Sequence, residues 1–319
     1  MTGIHADLQA ARSAFDQQEA WRLEDRSCGE KPFGRWAWWA EQRGGLRQMP
    51  RPSSWWEASA SQRLAMGSSS QQSMQWQYVA PKSVPTHGGA GRINQVRVDP
   101  HNEQHWYACA PAGGLWHSWD EGQTWEVAGI DVLSPLGVTD VWIDPQGSNH
   151  LWVATGDGNG GDTYSIGVLE STDGGTTWMP LELAFGVDQG RTIHALRHHP
   201  TLDLAFVGTD LGLFRTTDGG ASFDLVLSGL TRDVVWVNDS TVVAGIQNVG
   251  VFRSTDLGES WTPCVLPETN GSMGRIQLAG QAMQNGSCDT LYAVAGHYFQ
   301  QNFLAFWRSV DAGVTWTAE

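Results

Sequence analysis

Charge is scarce in this sequence, and what there is leans one way. Only 17% of its residues are charged, against about 25% in an average domain, and 34 acids face 19 lysines and arginines for a net −15. That balance argues against nucleic-acid backbones and anionic membrane surfaces as partners and leaves neutral or cationic ones. Long apolar runs are missing too, so no segment reads as a membrane-spanning helix. The opening residues, MTGIHADLQAARSAFDQQ, carry neither the basic nor the apolar region of a secretion leader. Cysteine is sparse: four residues make no disulfide scaffold, and the one bridge expected joins Cys264 to Cys288, with Cys28 and Cys109 left without mates. There is no Gly-x-Ser-x-Gly elbow and no paired Cys-x-x-Cys zinc pattern. Glycine, by contrast, is abundant, 38 of 319 residues, which marks a chain rich in turns and strands.

What is present is a repeat. Ser/Thr-x-Asp-x-Gly-x-Ser/Thr-aromatic occurs at Ser118 to Trp125, Ser171 to Trp178, Thr216 to Phe223, Ser254 to Trp261 and Ser309 to Trp316. Its aspartates are Asp120, Asp173, Asp218, Asp256 and Asp311. The physics is that of a hairpin turn: the Asp and hydroxyl side chains bond nearby amides, the glycine supplies a positive φ, and the aromatic begins the return strand. A residue used up by its own turn is not free for chemistry, so these five aspartates are structural. The words around each turn divide into four short strands, as in RINQVRVDP, HWYACA, GGLWHS and TWEVA. Four strands per unit is the blade of a β-propeller, giving blades at about 91–129, 138–183, 191–228, 231–266 and 275–319.

This repeat is the Asp-box, or BNR repeat, and the chain therefore resembles the Asp-box β-propellers: sialidases, xyloglucanase-type glycoside hydrolases, sortilin-type receptors and photosystem stability factors. The resemblance is fullest over residues 88–178, in GGAGRIN, APAGGLWHSWDEGQTW and GDGNGGDTYSIGVLESTDGGTTW, whose wording is similar to secreted bacterial proteins described as sortilin-like or xyloglucanase-like. It implies an all-β fold and a secreted or cell-surface location. Residues 75–80, QWQYVA, match the outer strand of a blade and lack inner strands before them. Since open rings leave unpaired edges, they are expected to close a blade whose other strands are missing, in an incomplete ring of six or more blades; the alternative is a complete five-bladed ring with 75–80 as a stray strand. Residues 1–74 read as a helical and linker extension, with an amphipathic helix over 6–24. Trp36, Trp38, Trp39, Trp55 and Trp56 serve there either as hydrophobic anchors or as a sugar platform.

Strand order places two classes of loop on the face opposite the boxes: those before each first strand and those between the second and third. The first class carries Arg92, Arg191, Arg232 and Arg275, either an anion-binding ring or a set of inter-blade salt bridges. The positions resemble the sialidase arginine triad, but Arg92-Ile93-Asn94 stands where that family has Arg-Ile-Pro. The second class carries Gly156 to Gly167, where Asp157, Asn159 and Asp162 offer hard oxygens on a glycine frame, a candidate calcium set, with Tyr164 beside them. His297 and Tyr298 occupy the matching loop of the fifth blade and are suited to stack on a sugar. Xyloglucanase-type enzymes take carboxylates from such loops, and the resemblance carries this to Asp157, Asp162 and Asp210. The first-blade stretch Ala108 to Gly114 has no acid, a departure from that family. His199-Pro200 sits in the slot of Asp99-Pro100 and Asp144-Pro145, so His199 reads as a turn residue, not a metal ligand. Three functions follow in order: a propeller gripping an extended glycan or peptide, a polysaccharide hydrolase using the loop aspartates, and an assembly factor for a partner protein.

Overall fold

The computed structural model describes residues 92–129, 137–161, 163–269, 271–280, 290–298 and 302–319, with the single helical residue Ser13. The expected strand 75–80, the five N-terminal tryptophans, Cys288 and Asp162 lie outside the described residues. The chain divides into two compact units, Met1–Gln72 and Ser73–Glu319, and the described strands all belong to the second.

Among the described residues, twenty strands form five four-stranded antiparallel sheets, each taken in chain order. The first blade is β1 (Gln95–Asp99), β2 (Asn102–Ala110), β3 (Gly114–Ser118) and β4 (Glu126–Val127). The second is β5 (Val138–Ile143), β6 (Leu151–Thr155), β7 (Gly167–Ser171) and β8 (Met179–Ala184). The third is β9 (Ile193–His198), β10 (Ala205–Thr209), β11 (Gly212–Thr216) and β12 (Asp224–Ser228). The fourth is β13 (Thr231–Trp236), β14 (Val242–Ile246), β15 (Gly250–Ser254) and β16 (Thr262–Pro263). The fifth is β17 (Met273–Gly280), β18 (Leu291–His297), β19 (Phe303–Ser309) and β20 (Thr317–Ala318). Successive blades touch through their innermost strands, β1 on β5, β5 on β9, β9 on β13 and β13 on β17. No comparable contact joins β17 to β1 among the described residues, so the five blades form an incomplete propeller ring.

The core lies between the blades. The second strands β6, β10 and β14 are buried along their whole length, because each is covered on both faces by a neighbouring sheet. LWVAT, AFVGT and VVAGI are accordingly apolar runs rather than alternating patterns. Blade two meets blade three through Trp152, Ala154 and Val168 against Ile193, Leu196 and Val207. Blade three meets blade four through Phe206 and Leu213 against Val234 and Trp236, with Phe206 wholly buried. One such ring side chain contributes about 2–3 kcal/mol by leaving water. The short outer strands β4, β16 and β20 are exposed.

The five repeated turns share one hydrogen-bond scheme. In the second blade Ser171 Oγ donates to Asp173 Oδ1 at 2.8 Å and accepts Gly175 N at 2.8 Å. Asp173 accepts Thr177 N at 2.8 Å and Thr177 Oγ1 at 2.7 Å, and Trp178 Nε1 donates to Gly175 O at 2.9 Å. The amide and hydroxyl of Thr124 hold Asp120 down at about 2, and the hydroxyls of Ser254 and Ser260 do the same for Asp256. In blade three the aromatic is Phe223, which has no N–H to give, and the remaining bonds suffice.

One expectation is corrected here. Cys264 is a free, half-buried thiol whose Sγ lies 3.6 Å from Gly313 O, not one half of a bridge to Cys288. Its position between blades four and five suits it as a small apolar filler, and burial pushes the thiol up from its ordinary range.

Candidate functional site

The repeated turns join each third strand to its fourth, at the strand ends opposite the loops that join second to third. The mouth of the ring is therefore lined by residues just before β1, β5, β9, β13 and β17, and by the loops after β2, β6, β10, β14 and β18. Bulges at this end, between Val138 and Asp140 and between Thr231 and Asp233, re-aim the first residues of the inner strands.

The Gly156–Gly161 loop of blade two crosses this mouth. Arg92 of blade one donates to Asp157 Oδ2, whose side chain is fully buried and also accepts Asn159 N at 2.9 Å and Gly160 N at 3.0 Å. Arg232 of blade four donates to Gly158 O at 2.7 Å, and His194 Nδ1 of blade three lies 2.7 Å from the same oxygen. Arg275 of blade five donates to Asn159 Oδ1, while Asn159 Nδ2 donates to Asn94 Oδ1 of blade one at 2.9 Å. Thr163 Oγ1 donates to Pro111 O at 2.6 Å, and Ser165 N donates to Arg191 O at 2.8 Å. One loop thus holds partners in all four other blades. Its glycines serve close approach rather than flexibility: a Cβ at Gly158 would meet Ile193 O and, at 3.0 Å, His194 Cα.

This geometry changes the sequence reading of the loop. Of the candidate calcium set, Asp157 accepts from the Arg92 guanidinium and Asn159 Oδ1 from that of Arg275, while Asp162 lies outside the described residues. Among the described residues no group of three or more His, Cys, Asp or Glu is placed to hold a metal. The four arginines do not form an even ring either. Arg92, Arg232 and Arg275 converge on residues 157–159, whereas Arg191 stays in its own blade, with Nη1 3.1 Å from Asp210 Oδ2. Thr192 N donates to Asp210 Oδ1 at 3.2 Å, which fixes that carboxylate at the mouth with its side chain 23% exposed. His194 is held neutral, its pKa pushed down to about 4 by burial and then by the Arg232 charge.

Sequence reasoning missed a second, deeper layer. Arg97 of β1 grips Asp140 of β5 at 3.1 and 3.0 Å, Arg197 of β9 reaches Asp140 at 2.5 Å and Asp233 of β13 at 2.9 Å, and Gln277 of β17 donates to Asp233 at 2.7 Å. This alternating ladder ties the five inner strands together, and it is where the inter-blade ion pairs are concentrated. The available signal was one charge of the ladder inside each inner-strand word: Arg97 in QVRV, Asp140 in TDVW, Arg197 in ALRH and Asp233 in DVVW.

Other expected residues are more dispersed. Tyr164 is 46% exposed beside the crossing loop. Tyr298 is 48% exposed, with its amide on Ser272 O at 3.0 Å. His297 lines a cavity of about 420 Å³ on blade five together with Asn302, Phe303 and Glu268. A second cavity of about 370 Å³, between blades two and three, opens on the side of the turns and is lined by Trp142, Asp144, His150 and Glu170. There His150 sits between the two carboxylates at 3.0 and 2.8 Å. His199 is a turn residue, its Nδ1 accepting Thr201 N and Leu202 N at 3.1 Å as Asp99 and Asp144 do in their own blades.

These features define a β-propeller whose mouth is bridged by one loop and whose resemblance is to the propeller xyloglucanases. No family model matches the chain. A xyloglucanase of a Paenibacillus species is 25% identical over 249 residues, 74% of this chain and 22% of that protein. A xyloglucanase of Acetivibrio thermocellus is 26% identical over 216 residues, 54% of this chain and 26% of that protein. Among solved structures, the GH74 xyloglucanase of Xanthomonas campestris is similar with a TM-score of 0.54 and 20% identity, covering 72% of this chain and 37% of that one. YCF48 bound to D1 peptide is similar with a TM-score of 0.51 and 16% identity, covering 75% of this chain and 71% of that one. These likenesses show the fold. The chain spans about a quarter of the length of the curated relatives it matches.

Proposed function

We propose that this propeller handles an extended polysaccharide laid across the mouth, in the manner of a xyloglucanase-like protein at the cell surface or outside the cell. The observation that carries the reading is the curated relatives, which are xyloglucanases. The mouth agrees with it: Tyr164 and Tyr298 are each about half exposed and of a residue type that stacks on sugars, and Asp210 offers a fixed, accessible carboxylate. Hydrolysis is favoured over binding alone by the same relatives.

Glycoside hydrolysis needs two carboxylates flanking the scissile bond. Asp210 is the accessible member among the described residues, and Asp162 is the candidate for its mate. Asp157, buried against Arg92, serves as the positioning residue of the loop that carries Asp162. The test is release of reducing ends from xyloglucan and other β-glucans. Turnover abolished by Asp210→Asn with binding retained supports the hydrolase. Binding without turnover in the unmutated protein supports a binding module. Failure to bind any β-glucan, together with capture of a peptide, overturns the polysaccharide reading; the YCF48 likeness makes that second ligand class worth including.

A further inference from the structure

One position changes sign along the blades. The residue before each turn hydroxyl is Arg215 in blade three, Arg253 in blade four and Arg308 in blade five, but Glu170 in blade two. In blades three and four that arginine crosses to the repeated turn of the next blade. Arg253 Nε donates to Ala312 O at 2.8 Å, and Arg215 Nη2 lies 3.6 Å from Glu259 Oε1 with its side chain only 14% exposed. These two blade interfaces thus share a notch shaped for a guanidinium, and the chain fills both from within.

Between blades two and three the same notch is open. Glu170 has no N–H to send across, and the space is the cavity of about 370 Å³ on the turn side. Its wall includes Gly219, which stands in the blade-three turn where Ala312 stands in that of blade five; a Cβ there would meet nothing within 4 Å. The lining carries three carboxylates, Asp144, Glu170 and Asp203, and neither lysine nor arginine. His150 lies between the first two; burial opposes its charge, but their hydrogen bonds outweigh that and raise its pKa. Even with this ring protonated, carboxylates outnumber cations in the lining. His198 lies flat on Trp142, ring centroids 3.6 Å apart, and its buried Nε2 has no hydrogen-bond partner. A buried ring nitrogen left so costs stability until a partner reaches it.

A guanidinium suits this lining. It only donates, its fork matches a carboxylate with two parallel bonds, and its weak hydration lets it enter a half-dry site. The methylenes behind it find an apolar wall in Trp142 and Trp152. Residues 92–319 contain no lysine and the chain is net −15, so a basic partner is the kind that its field attracts.

We propose that the cavity between blades two and three is a docking notch for an arginine side chain on a basic segment of a partner polypeptide, with Glu170 as its carboxylate anchor. The notch lies on the face opposite the mouth, so it stands or falls apart from the polysaccharide reading.

The test is fluorescence anisotropy of a labelled peptide of three Gly-Arg-Gly repeats titrated with the full chain, beside its lysine counterpart and a labelled glucosamine tetramer. The arginine peptide should bind at least roughly threefold tighter than the lysine one, because an ammonium lacks the fork. Glu170→Arg, which fills the notch as Arg215 and Arg253 fill theirs, should weaken it by roughly tenfold or more. Glu126→Arg makes the same charge change on the exposed outer strand of blade one and should weaken it less than about twofold. Equal losses in the two variants mean attraction to an acidic surface, and equal affinity for the lysine peptide means no notch for a guanidinium; either result overturns the proposal. So do absence of binding by the unmutated chain and preference for the glucosamine tetramer. Where Glu170→Arg folds poorly, Glu170→Gln keeps the shape of the side chain and should lose several-fold, with Glu126→Gln nearly silent.

Discussion

Arg197 Nη2 lies 2.9 Å from Asp233 Oδ1, and its Nη1 bonds Asp140 on the other side, so one guanidinium on blade three joins blades two and four. Burial alone would lower its pKa, but the two carboxylates more than offset that and raise it. Both carboxylates are 4% exposed and receive backbone amides as well.

Removing that cation leaves two nearly buried carboxylates, Asp140 with Arg97 and Asp233 with Gln277 as side-chain partners. Arg197→Met is therefore expected to cost about 3 kcal/mol of stability, read as a lowered urea midpoint. Gln277→Leu, which removes a neutral donor from the end of the same ladder, should cost about 1 kcal/mol. Equal costs for the two would show that the ladder is held by hydrogen bonds and not by charge.

The turn scheme makes a similar prediction at a residue that is not charged. Ser254 Oγ is buried, accepts Gly258 N at 2.9 Å and Asp256 N at 3.3 Å, and donates to Asp256 Oδ1 at 2.6 Å. Ser254→Ala strands an amide and should cost about 2 kcal/mol. Ser254→Thr should be nearly neutral, because Thr216 fills the same position in blade three with the same three bonds.

The contrast between these two layers explains what sequence could show. The turns were legible because the scheme is local: Ser171, Asp173, Gly175 and Thr177 satisfy one another within seven positions, so the pattern must appear in the letters. The strand words around them gave the blades for the same reason. The ladder of Arg97, Asp140, Arg197 and Asp233 was not legible, since its partners lie 36 to 57 residues apart and each looks like an isolated charge in a strand. The mouth falls between. Arg92, Arg232 and Arg275 were singled out by their like positions, but that three of them meet one loop depends on the height of Gly158 above Ile193, a relation of packing that no spacing encodes.

A further test concerns the glycines of the turns. Gly220 has φ +85° and lies against blade two, where an added Cβ would sit 2.8 Å from Trp152 Cη2 and 2.7 Å from Leu181 Cδ1. Gly220→Ala combines backbone strain with overpacking and should cost about 3 kcal/mol. Its neighbour Gly219, at φ +65° with nothing within 4 Å, is free of the second penalty. Gly219→Asn should be tolerated, as asparagine accepts the left-handed region readily. Thermal melting of the two variants separates the packing of blade three on blade two from turn geometry alone.

Acid should loosen the mouth before it unties the turns. His194 donates through Nδ1 to Gly158 O while its Nε2 lies 3.3 Å from Thr192 Oγ1, an arrangement of the neutral ring. Its pKa in the folded chain is about 4, against about 6.5 in an unfolded one. Between those values the unfolded chain binds the extra proton, so stability is full above about pH 6.5 and falls as pH drops toward 4. The loss should reach about 2 kcal/mol, discounted for the solvent that reaches this half-buried ring. The turn aspartates are depressed carboxylates, and their contribution is lost only below the ordinary carboxylate range, as pH falls toward about 2 for Asp120 and Asp256. Burial holds His198 well below its ordinary value as well, so it adds to the acid loss and the informative quantity is a difference. The gap in unfolding free energy between the unmutated protein and His194→Gln should narrow steadily from pH 7 to pH 4 and then level off. A gap that does not change with pH would show that folding does not depress the His194 pKa.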